Sequence, residues 1–145
     1  MVDVTSKPEI YREATAKGTI KLKPRTIQLI KDGGIEKGNP FEVAKVAGIL
    51  AAKNTSKLIP LCHPLSLTGV KIKLKTVDCS KVEAEATIKT RAQTGVEMEA
   101  LVAVATALLT IWDMTKQYEK DLQGQYPNTR IHNLHVVNKV KGKEE

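Results

Sequence analysis

Three short stretches carry the residue types that do acid–base chemistry. In IPLCHPL, residues 59–65, Cys62 and His63 stand between Pro60 and Pro64. Each proline fixes its own φ, lacks an N–H, and biases the preceding residue toward an extended form. The stretch is therefore no helix, and it is too apolar for an ordinary surface loop. It is expected to be a rigid extended segment presenting Cys62 and His63. A plainer reading of His63 is a core histidine satisfied by the backbone. In GVEMEAL, residues 95–101, Glu97 and Glu99 fall in the first turn of an expected helix, where carboxylates suit the macrodipole. Thr94 and Glu97 have capping-box spacing, so Glu97 also has a purely structural reading. Glu99 has none, because it leads straight into an apolar run. In TIWDMTKQ, residues 110–117, Asp113 and Lys116 are three apart, on one side of a helix. As a surface pair they would contribute only about 0.3–0.5 kcal/mol. Asp113, however, lies between Trp112 and Met114 near the end of a run expected to be buried, where a carboxylate needs a partner or a function.

Carboxylate, lysine and histidine are the usual carriers of protons in catalysis. Cys62 and His63 also raise the possibility of a metal. His132 and His135 lie on an expected strand at a spacing that points them to opposite faces. No standard zinc spacing occurs, so no metal site is expected.

The elements that must position these groups follow from pattern. Gly18–Lys23 reads as a short strand, and Pro24 opens a short helix that stops at Gly33-Gly34. Asn39 is a good N-cap, Pro40 suits the first helical position and Glu42 completes a capping-box arrangement, giving a helix over 40–56. Ala44, Gly48, Ala51 and Ala52 form a small-residue stripe that lets another element approach closely. TGVKIKLKTVD alternates, with Val70, Ile72 and Leu74 on one face and Lys71, Lys73 and Lys75 on the other. KVEAEATIKTR alternates again after a turn near Cys79-Ser80, so the two form a β-hairpin. The longest helix starts near Thr94, and a last strand covers Arg130 to Asn138. Strand, helix, strand, strand, helix, strand is the ferredoxin-like split βαβ pattern, an α+β fold: an antiparallel sheet with helices packed on one face.

Composition bounds the function. A chain of 145 residues is long enough for one domain with a real core, here 1–145 with a loose tail over about 140–145. Aromatics make up 3%, so aliphatic side chains and alanine must fill that core. The net charge of +7 favours an anionic partner such as nucleic acid, a nucleotide or a phosphorylated metabolite. Two cysteines without a CxxC pair fit a reducing, cytoplasmic setting. No basic-then-apolar leader opens the sequence, and the apolar run from Ala100 to Trp112 is too short to span a bilayer. The lysine face of the hairpin is either a solvated sheet face or an RNA platform. RNA modules of this fold stack bases on sheet aromatics, and the hairpin strands carry none.

The motifs closely resemble those of the MoaC family, the cyclic pyranopterin monophosphate synthases of molybdenum cofactor (molybdopterin) biosynthesis. The resemblance runs through MVDV (1–4), YREATAKG (11–18), KG (37–38), VAGILAAKNTSKLIPLCHPLSLT (46–68), QTGVEMEALVAVATALLTIWDMTK (93–116) and Lys139. It implies a lyase that rearranges a cyclised dihydro-GTP into a tricyclic pyranopterin with a cyclic phosphate and releases pyrophosphate, without a redox cofactor. It implies the ferredoxin-like fold and a homohexamer, a trimer of dimers, with sites at dimer interfaces. The family's catalytic aspartate and lysine match Asp113 and Lys116, and Lys37 matches a further catalytic position. Its substrate-contacting segments match Leu61, Cys62, His63, Met98 and Glu99. Further polar site positions match Asp3, Arg12, Lys53, Glu97 and Lys139. The cations Arg12, Lys37, Lys53, Lys116 and Lys139 would clamp a triphosphate, and crowding among them would lower a lysine pKa toward neutrality.

The sequence departs from the family at its end, where KVKGKEE has the single Gly142 in place of a glycine-rich tail, which weakens the match at Lys139. QGQYPNTR, 123–130, is a longer connection than is usual there. Two other readings stay open at this point: a basic RNA- or nucleotide-binding module, and a structural interaction protein that uses the small-residue helix stripes. Neither nucleic-acid nor membrane partners are expected.

Overall fold

The computed structural model describes residues 1–143. Its elements are β1 (Ile10–Lys21), α1 (Pro24–Asp32), α2 (Pro40–Lys53), α3 (Thr55–Leu58), β2 (Gly69–Thr76), β3 (Lys81–Ala92), α4 (Glu97–Glu119) and β4 (Arg130–Lys141). The four strands form one antiparallel sheet in the order β2-β3-β1-β4. This is the ferredoxin-like arrangement expected from the pattern.

The inner face of the sheet is built from small residues. Ala14 and Ala16 of β1 and Val82, Ala84, Ala86 and Ile88 of β3 are all fully buried. The register sets Ala14 opposite Ile88, Ala16 opposite Ala86 and Gly18 opposite Ala84. Such a shallow surface lets α4 lie close. A Cβ added at Gly18 would stand 2.9 Å from Val104 Cγ1 and 3.0 Å from Leu108 Cδ1. The same logic joins α2 to α4: a Cβ at Gly48 would meet Ala103 O at 3.1 Å and Ala107 Cβ at 3.6 Å, and would collide with Ile72 Cδ1 of β2. Alanine and aliphatic side chains make the core continuous, with Val96, Val104, Leu108 and Ile111 fully buried.

Several sequence expectations shift. β1 starts at Ile10, eight residues before the expected Gly18. The expected helix over 40–56 divides at Asn54, whose φ is −115°. There Asn54 Nδ2 donates to Leu50 O, and Thr55 Oγ1 donates to Ala51 O and Ala52 O, so side chains take over backbone acceptors. Asn39 does cap α2, accepting from Phe41 N and Glu42 N, while the Glu42 carboxylate turns to Lys45. The Thr94 capping box does not form. Fully buried Val96 takes the N-cap position of α4 instead, and no side chain caps it. β4 continues to Lys141, through part of the tail expected to be loose. Glu144 and Glu145 lie outside the described residues. α4 is long and apolar enough to cross a membrane, but one side of it forms the core against the sheet.

The outer sheet face carries charge in alternating sign. Lys17 meets Glu83 at 3.5 Å and Glu85 at 3.3 Å, Lys73 meets Glu85, and Lys75 meets Glu83. This is a self-neutralising, solvated face, not a cationic platform. An irregularity in β4, with Asn133 at φ 60°, sets His132 opposite Thr19 and His135 opposite Lys17. Those β1 positions are two apart and share a face, so the histidines do too, contrary to the simple spacing rule. Among the described residues no group of three His, Cys, Asp or Glu side chains is placed to hold a metal ion.

Candidate active site

Most of the sequence candidates gather at two places, one at each end of α4, while Lys53 stands apart from both. At its start, Glu97 is ion-paired with Lys139. The strand register explains the meeting. Lys139 lies opposite Ala14, and Arg12 shares the inner parity of β1, so both cations stand on the helix side of one sheet end. Burial alone would raise the Glu97 pKa, but the hydrogen bond from Lys139, the hydrogen bond from its own backbone N–H and the charges of Lys139 and Arg12 together outweigh it and hold the carboxyl below the usual range. Arg12 donates from Nη2 to Gln93 O at 3.1 Å, and its Nε is buried without a partner.

Within the first turn of α4, Glu99 is only 3% exposed, and its Oε2 has no hydrogen-bond partner. Cys62 Sγ lies 3.9 Å from Oε1, a weak donor contact. Burial pushes the Glu99 carboxyl up toward the protonated form, and burial with the nearby carboxylate pushes the Cys62 thiol up as well. His63 Nε2 stands 2.7 Å from Val2 O. A carbonyl only accepts, so Nε2 carries the proton and Nδ1 is left facing elsewhere. Asp3 accepts from Thr5 N and Thr5 Oγ1, which lowers its pKa and stiffens the N-terminal segment beside His63.

The proline-bracketed segment is not wholly extended. Cys62 N donates to Ile59 O at 3.1 Å, so Ile59–Cys62 is a turn. Pro60 takes its second position, where proline is favoured. The turn leaves Leu61 73% exposed and swings Cys62 inward toward Glu99. Met98, the residue before Glu99, is 39% exposed. His63 borders an open cleft of about 380 Å³ with Val4, Glu9, Arg91 and Gln93. Lys53, in the last turn of α2, borders a separate cleft of about 450 Å³ with Leu65, Ser66 and Thr68.

At the far end of α4, Lys37, Asp113 and Lys116 come together. Lys37 Nζ donates to Asp113 Oδ2 at 2.9 Å and to Asp113 O at 3.1 Å, and Lys116 Nζ lies 3.0 Å from Oδ1. Hydrogen bonds from Lys37 and then Lys116 hold Asp113 below the ordinary carboxylate range. Two expectations are corrected here. Asp113 is not buried, its side chain being 57% exposed. The Lys116 pKa is raised by its bond to Asp113, not lowered by neighbouring cations.

The two groups do not meet within one chain. From Glu97 to Asp113 is 16 residues along a straight helix, about 24 Å at 1.5 Å per residue. The sequence reading also missed the residues that frame them. Gln117, Tyr118 and Glu119 follow Lys116 directly. Glu119 is fully buried and accepts from Lys23 N, Thr26 Oγ1 and Thr129 Oγ1. The signal was present: Glu119 continues the buried series Leu108, Ile111, Thr115 at helical spacing.

Comparison with known proteins places the chain. The MoaC family model matches residues 1–142. A protein of Pyrococcus horikoshii is 57% identical, covering 97% of this chain and 88% of its own. One of Methanocorpusculum labreanum is 53% identical, covering 100% and 91%, and one of Saccharolobus solfataricus is 51% identical, covering 99% and 96%. Each is named a probable cyclic pyranopterin monophosphate synthase. With a full-length family match, relatives above half identity and a ferredoxin-like sheet, the chain belongs to the MoaC family.

Proposed function

We propose that this protein is a cyclic pyranopterin monophosphate synthase, a lyase of molybdenum cofactor biosynthesis. It converts a cyclised dihydro-GTP to the tricyclic product and releases pyrophosphate. The observation that carries the reading is the family match over residues 1–142. The geometry supports it chemically. Closing a cyclic phosphate requires a hydroxyl to attack the α-phosphorus while pyrophosphate departs, so negative charge must be held on both fragments. Arg12 and Lys139 lie at the Glu97 end, Lys37 and Lys116 lie beside Asp113, and Lys53 borders its cleft with Leu65, Ser66 and Thr68. Such ammonium and guanidinium groups stabilise charge on a leaving phosphate.

Ring opening and rebuilding require a proton donor and a proton acceptor at the same pH. Glu99, raised by burial, and Asp113, lowered by two lysines, are carboxyls pushed in opposite directions. That divergence suits an acid and an ionised partner. Glu99 is a proton donor in this scheme, and Asp113 holds Lys37 and Lys116 oriented toward the substrate. His63, with Nε2 committed to Val2 O, offers Nδ1 to the purine-derived ring. Leu61, Cys62 and Met98 line its approach.

Glu99 and Asp113 are 14 residues, about 21 Å, apart along α4. A single reacting centre cannot bridge that span, so each site combines the Glu99 end of one subunit with the Asp113 end of another. The assembly is a cytoplasmic homohexamer, a trimer of dimers. Incubation with the cyclised dihydro-GTP, with pyrophosphate and the tricyclic product both assayed, tests the activity. Failure to form either product refutes it.

A further inference from the structure

We propose that Tyr118, assisted by Gln117, is a positioning residue that delivers Lys37 onto Asp113. Lys37 sits in a tight turn, Ile35–Gly38, closed by Gly38 N donating to Ile35 O at 3.1 Å. Gly38 has φ 111°, a conformation that side-chain-bearing residues rarely adopt. Ile35 is buried and anchors one side of the turn. The residue before Lys37 is held from α4: Glu36 N donates to Tyr118 Oη at 2.8 Å, and Gln117 Nε2 donates to Glu36 Oε2 at 3.0 Å. The side chain of Lys37 is itself 44% exposed, so burial does not fix where its ammonium goes. Its position is set from its two ends, the Glu36 backbone and the Asp113 acceptors.

Both ends of that reach lie on one rigid element. Asp113 is the target, and Gln117 and Tyr118 follow it by four and five residues on α4. Helix geometry therefore fixes the span the lysine stem must cross. A long lysine side chain gives up several rotamers to hold one place. Anchoring its backbone from the same helix that carries its target limits what remains to be ordered when substrate arrives. Among the described residues no side-chain hydrogen bond or ion pair joins Gln117 or Tyr118 to Asp113 or Lys116, so their side chains act through the turn.

The proposal rests on the assignment of Lys37 to the catalytic group, and its test has a readout that needs no turnover. In the full chain, the Asp113 side-chain carboxyl is titrated by carbon NMR in the parent, Tyr118→Phe, Lys37→Met and the double variant. Tyr118→Phe keeps the ring and removes one acceptor. The Asp113 titration should move upward in Tyr118→Phe, in the direction set by Lys37→Met but by less. Turnover should fall about two- to tenfold, the range expected for one net hydrogen bond, with KM little changed. In the Lys37→Met background, Tyr118→Phe should cause no further fall. An unchanged Asp113 titration in Tyr118→Phe overturns the proposal, and so does a loss of turnover that persists undiminished without Lys37. Normal turnover by Lys37→Met, with the Asp113 shift still present in Tyr118→Phe, would instead remove Lys37 from catalysis and leave the positioning contact standing.

Discussion

Replacing Glu119 with alanine and with glutamine probes the buried junction that joins the end of α4 to α1 and to the start of β4. In the parent, two carboxylate oxygens receive Lys23 N, each at 3.1 Å, the Thr26 hydroxyl, and the Thr129 hydroxyl at 2.7 Å. Alanine removes every acceptor and leaves three donors facing a gap. A buried donor left unsatisfied costs about 1–3 kcal/mol, and water entering the gap recovers part of it, so the alanine variant should lose about 3–5 kcal/mol. Glutamine keeps the shape and one good acceptor. The threonine hydroxyls can turn to accept from its amide, but the Lys23 N–H cannot, so its cost is about 1–2 kcal/mol. At about 2–4 °C per kcal/mol for a chain of this size, alanine lowers Tm by about 6–20 °C. Urea unfolding at a fixed protomer concentration is the assay, read as a lower midpoint with an unchanged slope. An alanine variant within about 1 kcal/mol of the parent would refute the reasoning, as would equal costs for the two substitutions.

The remaining predictions concern the two ends of α4. Asp113→Asn, Lys116→Ala and Lys37→Ala should each cut turnover by about a hundredfold or more. Because the side chains are exposed, each should cost under about 1 kcal/mol of stability, and near-normal product formation by any of them would remove that residue from the mechanism. Lys53→Ala and Arg12→Ala should weaken substrate binding more than they lower Tm, and added salt should weaken binding to the parent; equal affinities at low and high salt would exclude a cationic clamp. Glu97 has its folded pKa lowered, so its pairing with Lys139 stabilises the fold above the ordinary carboxylate range and is lost as pH falls through the lowered value. The parent should therefore exceed Lys139→Met in urea midpoint near neutral pH and match it in strong acid; a constant difference across that range would contradict the pairing.

Where local chemistry and tertiary packing agree, the sequence was legible. Asn39-Pro40 marks the start of α2, and the β2–β3 hairpin follows from strict alternation, because in both places the local signal and the buried face coincide. The first half of β1 was missed because YREATAK has low strand propensity. Its alanines are chosen for the close approach of α4, a tertiary reason invisible from within the segment. The Thr94 cap failed for a related cause, since burying Val96 outweighed one capping hydrogen bond. Asp113 was expected inside because its neighbours are apolar. A helix turns about 100° per residue, so Met114 is buried while Asp113 looks out. The His132–His135 spacing misled because one extra residue at Asn133 inverts the parity of a strand. Which site residues meet was least legible, since Lys37 and Asp113 are 76 residues apart and joined only through the 35–38 turn.

The division of the candidate residues between the two ends of α4 leads to the central claim, that each active site is shared between subunits. The direct measurement is complementation between two inactive proteins, Glu99→Ala and Asp113→Asn, co-expressed with different tags and purified as mixed assemblies. If the two groups come from different subunits, each mixed dimer holds one intact site and one doubly broken site. Activity should then reappear, up to about half the parent value per mixed dimer by symmetry. Verified mixed assemblies that remain as inactive as either variant alone would contradict the shared site.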